Sequence, residues 1–141
     1  QLSDVRGAVR EQMRKDAITR ALKPGDRIAV AVGSRQFSDM SLVVRECVEA
    51  LKRLGARPFI VPAMGSHGGS TAEGQTETLA GYGIHEQALG VPVEPSMAVE
   101  VIGHTPGGVE VKIARSGDAD FRILRFATVA GPQWVPSPDG T

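Results

Sequence analysis

Two short apolar runs with one amphipathic stretch between them constrain this chain more than any other feature. The first run, Arg27-Ile-Ala-Val-Ala-Val32, has no clear alternation and is bounded by Gly25 and Gly33; the second is Pro58-Phe-Ile-Val-Pro62. Such runs suit strands buried on both faces of a parallel sheet. Between them Met40, Val44, Cys47, Val48, Leu51 and Leu54 recur at helical spacing, Ser41 or Asp39 stands ready to cap the start, and Gly55 falls where a left-handed C-cap belongs. Residues 27–62 therefore predict a strand–helix–strand unit, parallel and right-handed as nearly all such units are. The fold class that follows is α/β, a Rossmann-like, open, mostly parallel sheet flanked by helices.

The remaining chain can be fitted around that unit. Leu2, Val5, Val9, Met13, Ala17 and Leu22 predict one amphipathic first helix, ended by Lys23-Pro24-Gly25. A third helix is expected over about 71–82, ending at Gly83, followed by a short turn from His85 to Leu89. In Val91-Pro-Val the proline argues for an edge or loop. Met97–Val101 and Val109–Ile113 predict strands on either side of the turn-rich Thr105-Pro-Gly-Gly108. Phe121–Ala130 predicts one more strand, and Pro132–Thr141 a flexible tail. The expected organisation is one α/β domain over 1–120 and a divergent strand and tail over 121–141.

Composition excludes several functions. Sixteen basic residues balance sixteen acidic ones and aromatics make up 4%, so a nucleic-acid surface built on phosphate contacts and base stacking is not expected. No run approaches the roughly 18 apolar residues of a membrane helix. The single cysteine, Cys47, rules out an internal disulfide and suits a reducing, cytoplasmic location; its place in a helical apolar pattern argues for a structural thiol. A first residue that is not methionine suggests a piece of a longer chain.

The chemistry concentrates in Met64-Gly-Ser-His-Gly-Gly-Ser-Thr-Ala-Glu-Gly-Gln75, where the second strand turns into the third helix. Ser70 and Glu73 have the spacing of a capping box. Glycines allow close backbone approach to a ligand, and the helix start offers free amides to an anion. His67 thus stands as a proton carrier beside an anion site, on the same rim as Gly33-Ser34-Arg35, where loops after parallel strands converge. Arg35 can grip a carboxylate or phosphate bidentately. Alternatively the turn is a plain loop with an exposed histidine, and Arg35 a surface ion-pair residue. The other histidines point to less. His85 reads as an exposed helix start and His104 as a turn residue, while Asp118 and Asp120 read as a solvated turn. No spacing suggests a metal site. A small hydrolase built on Ser66 is disfavoured, because the serine adjoins His67 and lacks the glycine of a nucleophile elbow two places earlier.

The strings Gly25-Asp-Arg-Ile-Ala-Val-Ala-Val-Gly-Ser-Arg35, Pro62-Ala-Met-Gly-Ser-His-Gly-Gly69 and Thr71-Ala-Glu-Gly-Gln75 resemble the N-terminal domain of lactate-racemase-like proteins, the nickel-pincer-nucleotide-dependent 2-hydroxyacid racemases and epimerases. The resemblance covers about residues 1–115. It implies two α/β domains with the active site between them, this chain supplying the first. It also implies a nickel-pincer nucleotide as cofactor and a small 2-hydroxy acid as substrate. By the resemblance His67 is an acid/base on the substrate hydroxyl, a task suited to an imidazole, which ordinarily titrates near 6.5. Arg35, with Ser34 and the segment Gly68, Gly69, Ser70 and Thr71, would lie along the cofactor. Two departures stand out. Val32 replaces an acidic residue three places before the arginine, and no lysine follows Lys112 nor histidine His104, where the family has its covalent anchor and a nickel ligand. The expectation is a domain silent by itself, awaiting a C-terminal domain, with self-association through an uncovered edge or cleft face as a further expectation. The alternative is a non-catalytic module that binds an organic anion or nucleotide phosphate at the same rim.

Overall fold

The computed structural model of the chain describes residues 3–114. The elements run α1 (Val5–Met13), α2 (Asp16–Thr19), β1 (Arg27–Val32), α3 (Met40–Arg53), β2 (Arg57–Pro62), α4 (Ala72–Gly81), α5 (Glu86–Leu89), β3 (Val99–His104) and β4 (Glu110–Ala114). A 3-10 turn, Gly68–Ser70, precedes α4. The fold is α/β, as the sequence predicts: β1 and β2 are parallel, in register from Arg27 opposite Arg57 to Val32 opposite Pro62, and α3 connects them.

Helix α3 forms and stops for local reasons. Asp39 holds the N-cap position, although its side chain makes no capping bond. At the other end Gly55 takes φ +81°, its N–H donates to the Lys52 carbonyl, and the Ala56 N–H reaches back to Leu51. That pair of bonds is a Schellman motif, which a left-handed glycine makes possible. Between the caps, Val44, Val48 and Leu51 face Ile28, Val30, Val32 and Ile60 in one apolar cluster, joined by Met13, Leu79, Ile84, Leu89 and Val91.

Two expectations change. First, β1 is not buried on both faces: Ile28, Val30 and Val32 are buried while Ala31 is exposed. Strand β2 is the central one, because the Ile60 N–H donates to the Pro92 carbonyl and the Glu94 N–H returns to Ile60, each at 2.8 Å. Val93 thereby bridges to Ile60 in parallel and leaves β1 at the edge among the described residues. Pro58, Phe59 and Ile60 are consecutively buried, and the Arg27 guanidinium lies 4.5 Å from the Phe59 ring centroid.

Second, the first helix is two. Lys15 is extended (φ −62°, ψ 142°), so α1 ends and α2 restarts. An unbroken helix would turn Ala17 to the core after Met13; the break leaves Ala17 exposed and packs Ile18 there instead. The larger side chain removes more apolar surface from water. Helix α1 is held on α3 by Glu46, buried to 4% exposure, which accepts from Arg6 Nε at 2.9 Å and Arg10 Nε at 2.7 Å.

Strands β3 and β4 form a separate antiparallel pair, irregular between Val101 and Gly103. The Thr105–Gly108 turn closes it, with Gly108 at φ +80° and the Thr105 hydroxyl accepting from the Val109 N–H. His104 pairs with Glu110 as the last residue of β3 and is not in the turn, because the turn's hydrogen bonds begin one residue later. The expected strand at Phe121–Ala130, the tail from Pro132, the carboxylates Asp118 and Asp120, and Leu2 lie outside the described residues. No helix among the described residues is long and apolar enough to cross a membrane.

Candidate functional site

Val32 and Pro62 are paired at the ends of β1 and β2, so their two loops leave the sheet side by side. The Ala63 N–H donates to the Val32 carbonyl at 2.8 Å and starts both loops from one point. On the β1 side, Gly33-Ser34-Arg35 runs out with Arg35 exposed and unpaired among the described residues. Tyr82, just beyond α4, donates its hydroxyl to the Ser34 carbonyl at 3.0 Å. This bond, between residues 48 positions apart, ties the first loop to the helix that follows the second.

The loop after β2 is built by its own backbone. Met64 is buried and anchors it; Gly65 turns it at φ +58°, and the Gly65 carbonyl accepts from Gln75 Nε2 at 2.8 Å. Gln75 is itself buried, one turn before Leu79 on the same face of α4. Gly68, at φ +67°, lies so close to the start of α4 that a Cβ would sit 2.5 Å from the Gln75 amide nitrogen. A Cβ on Gly74 would meet the Gly68 carbonyl oxygen at 2.0 Å. These two glycines are therefore needed for loop-on-helix packing. At Gly65 and Gly69 nothing lies within 4 Å of the Cβ position, so of the four glycines from Gly65 to Gly74 these two leave open space.

The capping arrangement differs from the Ser70–Glu73 box. Thr71 is the N-cap: its hydroxyl accepts from the Gly74 N–H at 3.0 Å and donates to the Gly68 carbonyl at 3.2 Å. An N-cap needs extended dihedrals, which Thr71 has (φ −122°, ψ 152°). Ser70 instead sits at φ +57°, alone among non-glycine residues described, and donates its hydroxyl to the Ser66 carbonyl at 3.3 Å. Such a strained serine is held by its surroundings, at a cost of order 1 kcal/mol.

His67 stands at the outer end of this turn. Its N–H donates to Met64, while its ring is exposed and has no hydrogen-bond partner among the described residues. The amides of Gly68 and Gly69 likewise meet no acceptor among the described residues. Ring and free amides are thus adjacent along the chain, on the rim that also carries Arg35. The other histidines are elsewhere: His85 is the half-buried N-cap residue of α5, and His104 ends β3. Among the described residues no group of three or more His, Cys, Asp or Glu could hold a metal ion. Burial, and then the Glu46 charge, push the Cys47 thiol up to about 11, which disfavours its thiolate at neutral pH.

The structural roles of Gln75 and Tyr82 do not follow from the motifs. Gln75 carries a usable signal, a polar residue on the core-facing stripe with Leu79, whereas a tyrosine near a helix end carries none.

The fold is an α/β domain whose rim carries an exposed histidine, an exposed arginine and two backbone amides that meet no acceptor among the described residues. The sequence profile of the lactate racemase N-terminal domain matches residues 1–127. The chain belongs to that family. No curated protein and no solved structure gave a significant match.

Proposed function

We propose that this domain supplies one wall of the active site of a nickel-pincer-nucleotide-dependent 2-hydroxyacid racemase or epimerase, with His67 as acid/base on the substrate hydroxyl. The observation that carries the reading is the His67 ring, exposed and uncommitted, next to amides that meet no acceptor. The pincer, when bound, would supply a hydride acceptor for the substrate carbon. His67 would take the proton from the substrate hydroxyl and give it back to the product oxygen. Arg35 holds a carboxylate or phosphate bidentately. The Gly68 and Gly69 amides take a phosphate oxygen, while Ser34 through its backbone, and Ser70 and Thr71 through hydroxyls already committed to the loop, hold the cradle in shape.

The residues fit the nucleotide's phosphate end and not its metal. Among the described residues there is no ligand cluster. Membership of a family of N-terminal domains supports a second domain that completes the cleft, and this domain by itself is proposed to be catalytically silent. In the assembled racemase, His67→Asn should lower kcat about 10²- to 10⁴-fold, as loss of a general acid/base does. A variant within tenfold of wild type would remove His67 from the mechanism. Racemisation of a 2-hydroxy acid by the isolated chain with added cofactor would overturn the silence.

The exposed Arg35 and the Gly68 and Gly69 amides, which could hold an anion with no proton transfer, favour a second reading, a non-catalytic module for an organic anion or nucleotide phosphate. Calorimetry with nicotinic acid mononucleotide decides between them. Binding lost in Arg35→Ala and untouched in His67→Ala, with no role for His67 in turnover, would favour the module.

A further inference from the structure

Well away from the rim, the last turns of α1 and α3 enclose a half-open groove of about 290 Å³. Its floor is apolar: Met13 and Ala50 are buried, and Leu54 closes one side. Three arginines, Arg10, Arg14 and Arg53, are among its lining residues, along with Thr19, and no Asp or Glu is. In a chain with sixteen positive and sixteen negative residues, that is a marked local excess of positive charge.

The three arginines are not equivalent. Arg10 is held in place by Glu46, through Nε at 2.7 Å and a second nitrogen at 3.3 Å. Arg6 also pairs with Glu46, so one carboxylate already serves two cations. Arg14 and Arg53 have no hydrogen-bond or ion-pair partner among the described residues. Both sit at helix C-termini, where a cation complements the dipole. Helix-end complementation explains why each is basic; it does not explain why both line one concavity with a third, pre-oriented arginine.

We propose that this groove is a binding site for a small organic anion carrying at least two negative charges, a phosphorylated or polycarboxylated metabolite with a short apolar body. Guanidinium groups hold phosphate and carboxylate oxygens in pairs, and the Met13–Ala50 floor takes the carbon skeleton. Helix α3 starts just after the Arg35 loop and ends at the groove, so its 14 residues set the two sites about 20 Å apart. The groove is independent of the His67 cleft, and its occupancy can be tested without any turnover.

The test is NMR titration of the full chain with inorganic pyrophosphate and, separately, with citrate, at constant ionic strength set by chloride. Saturable shifts of the Arg14 and Arg53 Nε–H signals and of the Met13 and Leu54 amides are expected. The double variant R14Q/R53Q should weaken binding at least about tenfold, since two charge-assisted contacts are lost. Both positions are exposed, so the variant should keep its fold, which circular dichroism would verify. Arg35→Gln should bind at the groove as wild type does. Shifts confined to Gly68–Glu73, shifts unchanged in the double variant, or no saturation by either probe would each overturn the proposal.

Discussion

The two loops of the rim leave neighbouring strands at the same level, yet they are held in opposite ways. The loop after β2 is locked by backbone contact: Gly68 against Gly74, the Thr71 hydroxyl between them, and Gln75 under Gly65. The loop after β1 rests on one long-range bond from Tyr82 to Ser34, and Arg35 beyond it is free. The pair therefore combines a fixed mount for His67 with an unpaired Arg35. The proposed proton carrier benefits from fixed geometry, because misplacement by about 1 Å costs rate heavily. The proposed anion clamp tolerates movement, since a long guanidinium arm can follow its partner.

The largest blow to this contrast should come from Gly68→Ala. The methyl meets backbone atoms at 2.5 Å that cannot swing aside, at a φ that L-residues resist, so a loss of about 3 kcal/mol is expected in urea unfolding. Amide exchange should show the Thr71–Gln75 start of α4 opening with it. Gln75→Leu comes next, at about 1–3 kcal/mol, because the Gly65 carbonyl loses its buried partner. If exchange at His67, whose N–H is bonded to the Met64 carbonyl, then stayed as in wild type, the rigid-mount account would be wrong. Gly69→Ala is the sharpening control: with open space around it, only the backbone cost of about 1 kcal/mol applies, a fraction of the Gly68 effect. Equal losses at the two glycines would refute the steric interlock. Tyr82→Phe should cost about 0.5–1.5 kcal/mol and loosen Ser34 and Arg35 while leaving His67 amide protection unchanged.

The smallest effect at neutral pH concerns the scaffold behind both loops. The folded Cys47 thiol titrates near 11 against an ordinary 9.0. The folded state thus holds the proton more tightly, and the stability this gives is intact below pH 9 and falls as pH rises toward 11. Iodoacetamide should label native Cys47 far more slowly than the unfolded chain at pH 8; equal rates would mean the thiol is not shielded.

Much of this was legible in the sequence, and the pattern of what was not is instructive. The β1–α3–β2 unit followed from two apolar runs, one helical stripe and Gly55, all of them local signals. The placing of Arg35 and His67 after adjacent parallel strands followed from the same unit. The first helix misled because its stripe of Val5, Val9 and Met13 ran on plausibly to Ala17, and only the core's demand for Ile18 breaks it. The spacing of Ser70 and Glu73 points to Ser70 as the cap, yet the structure places Thr71 there. The dihedral that disqualifies Ser70 is imposed by the Gly68–Gly74 contact, which no spacing rule encodes.

By itself, then, the sequence determined the order and type of the elements around β1 and β2, and with them the rim on which the chemistry-bearing side chains stand. These depend on hydrophobic periodicity and turn residues, which act over a few positions. Only the tertiary structure decided which strand is central, which glycines serve packing and which leave room, and that three arginines from two helices share a groove. Those outcomes depend on contacts between residues distant in the chain, where shape and burial set the energy and neighbouring letters carry no information about it.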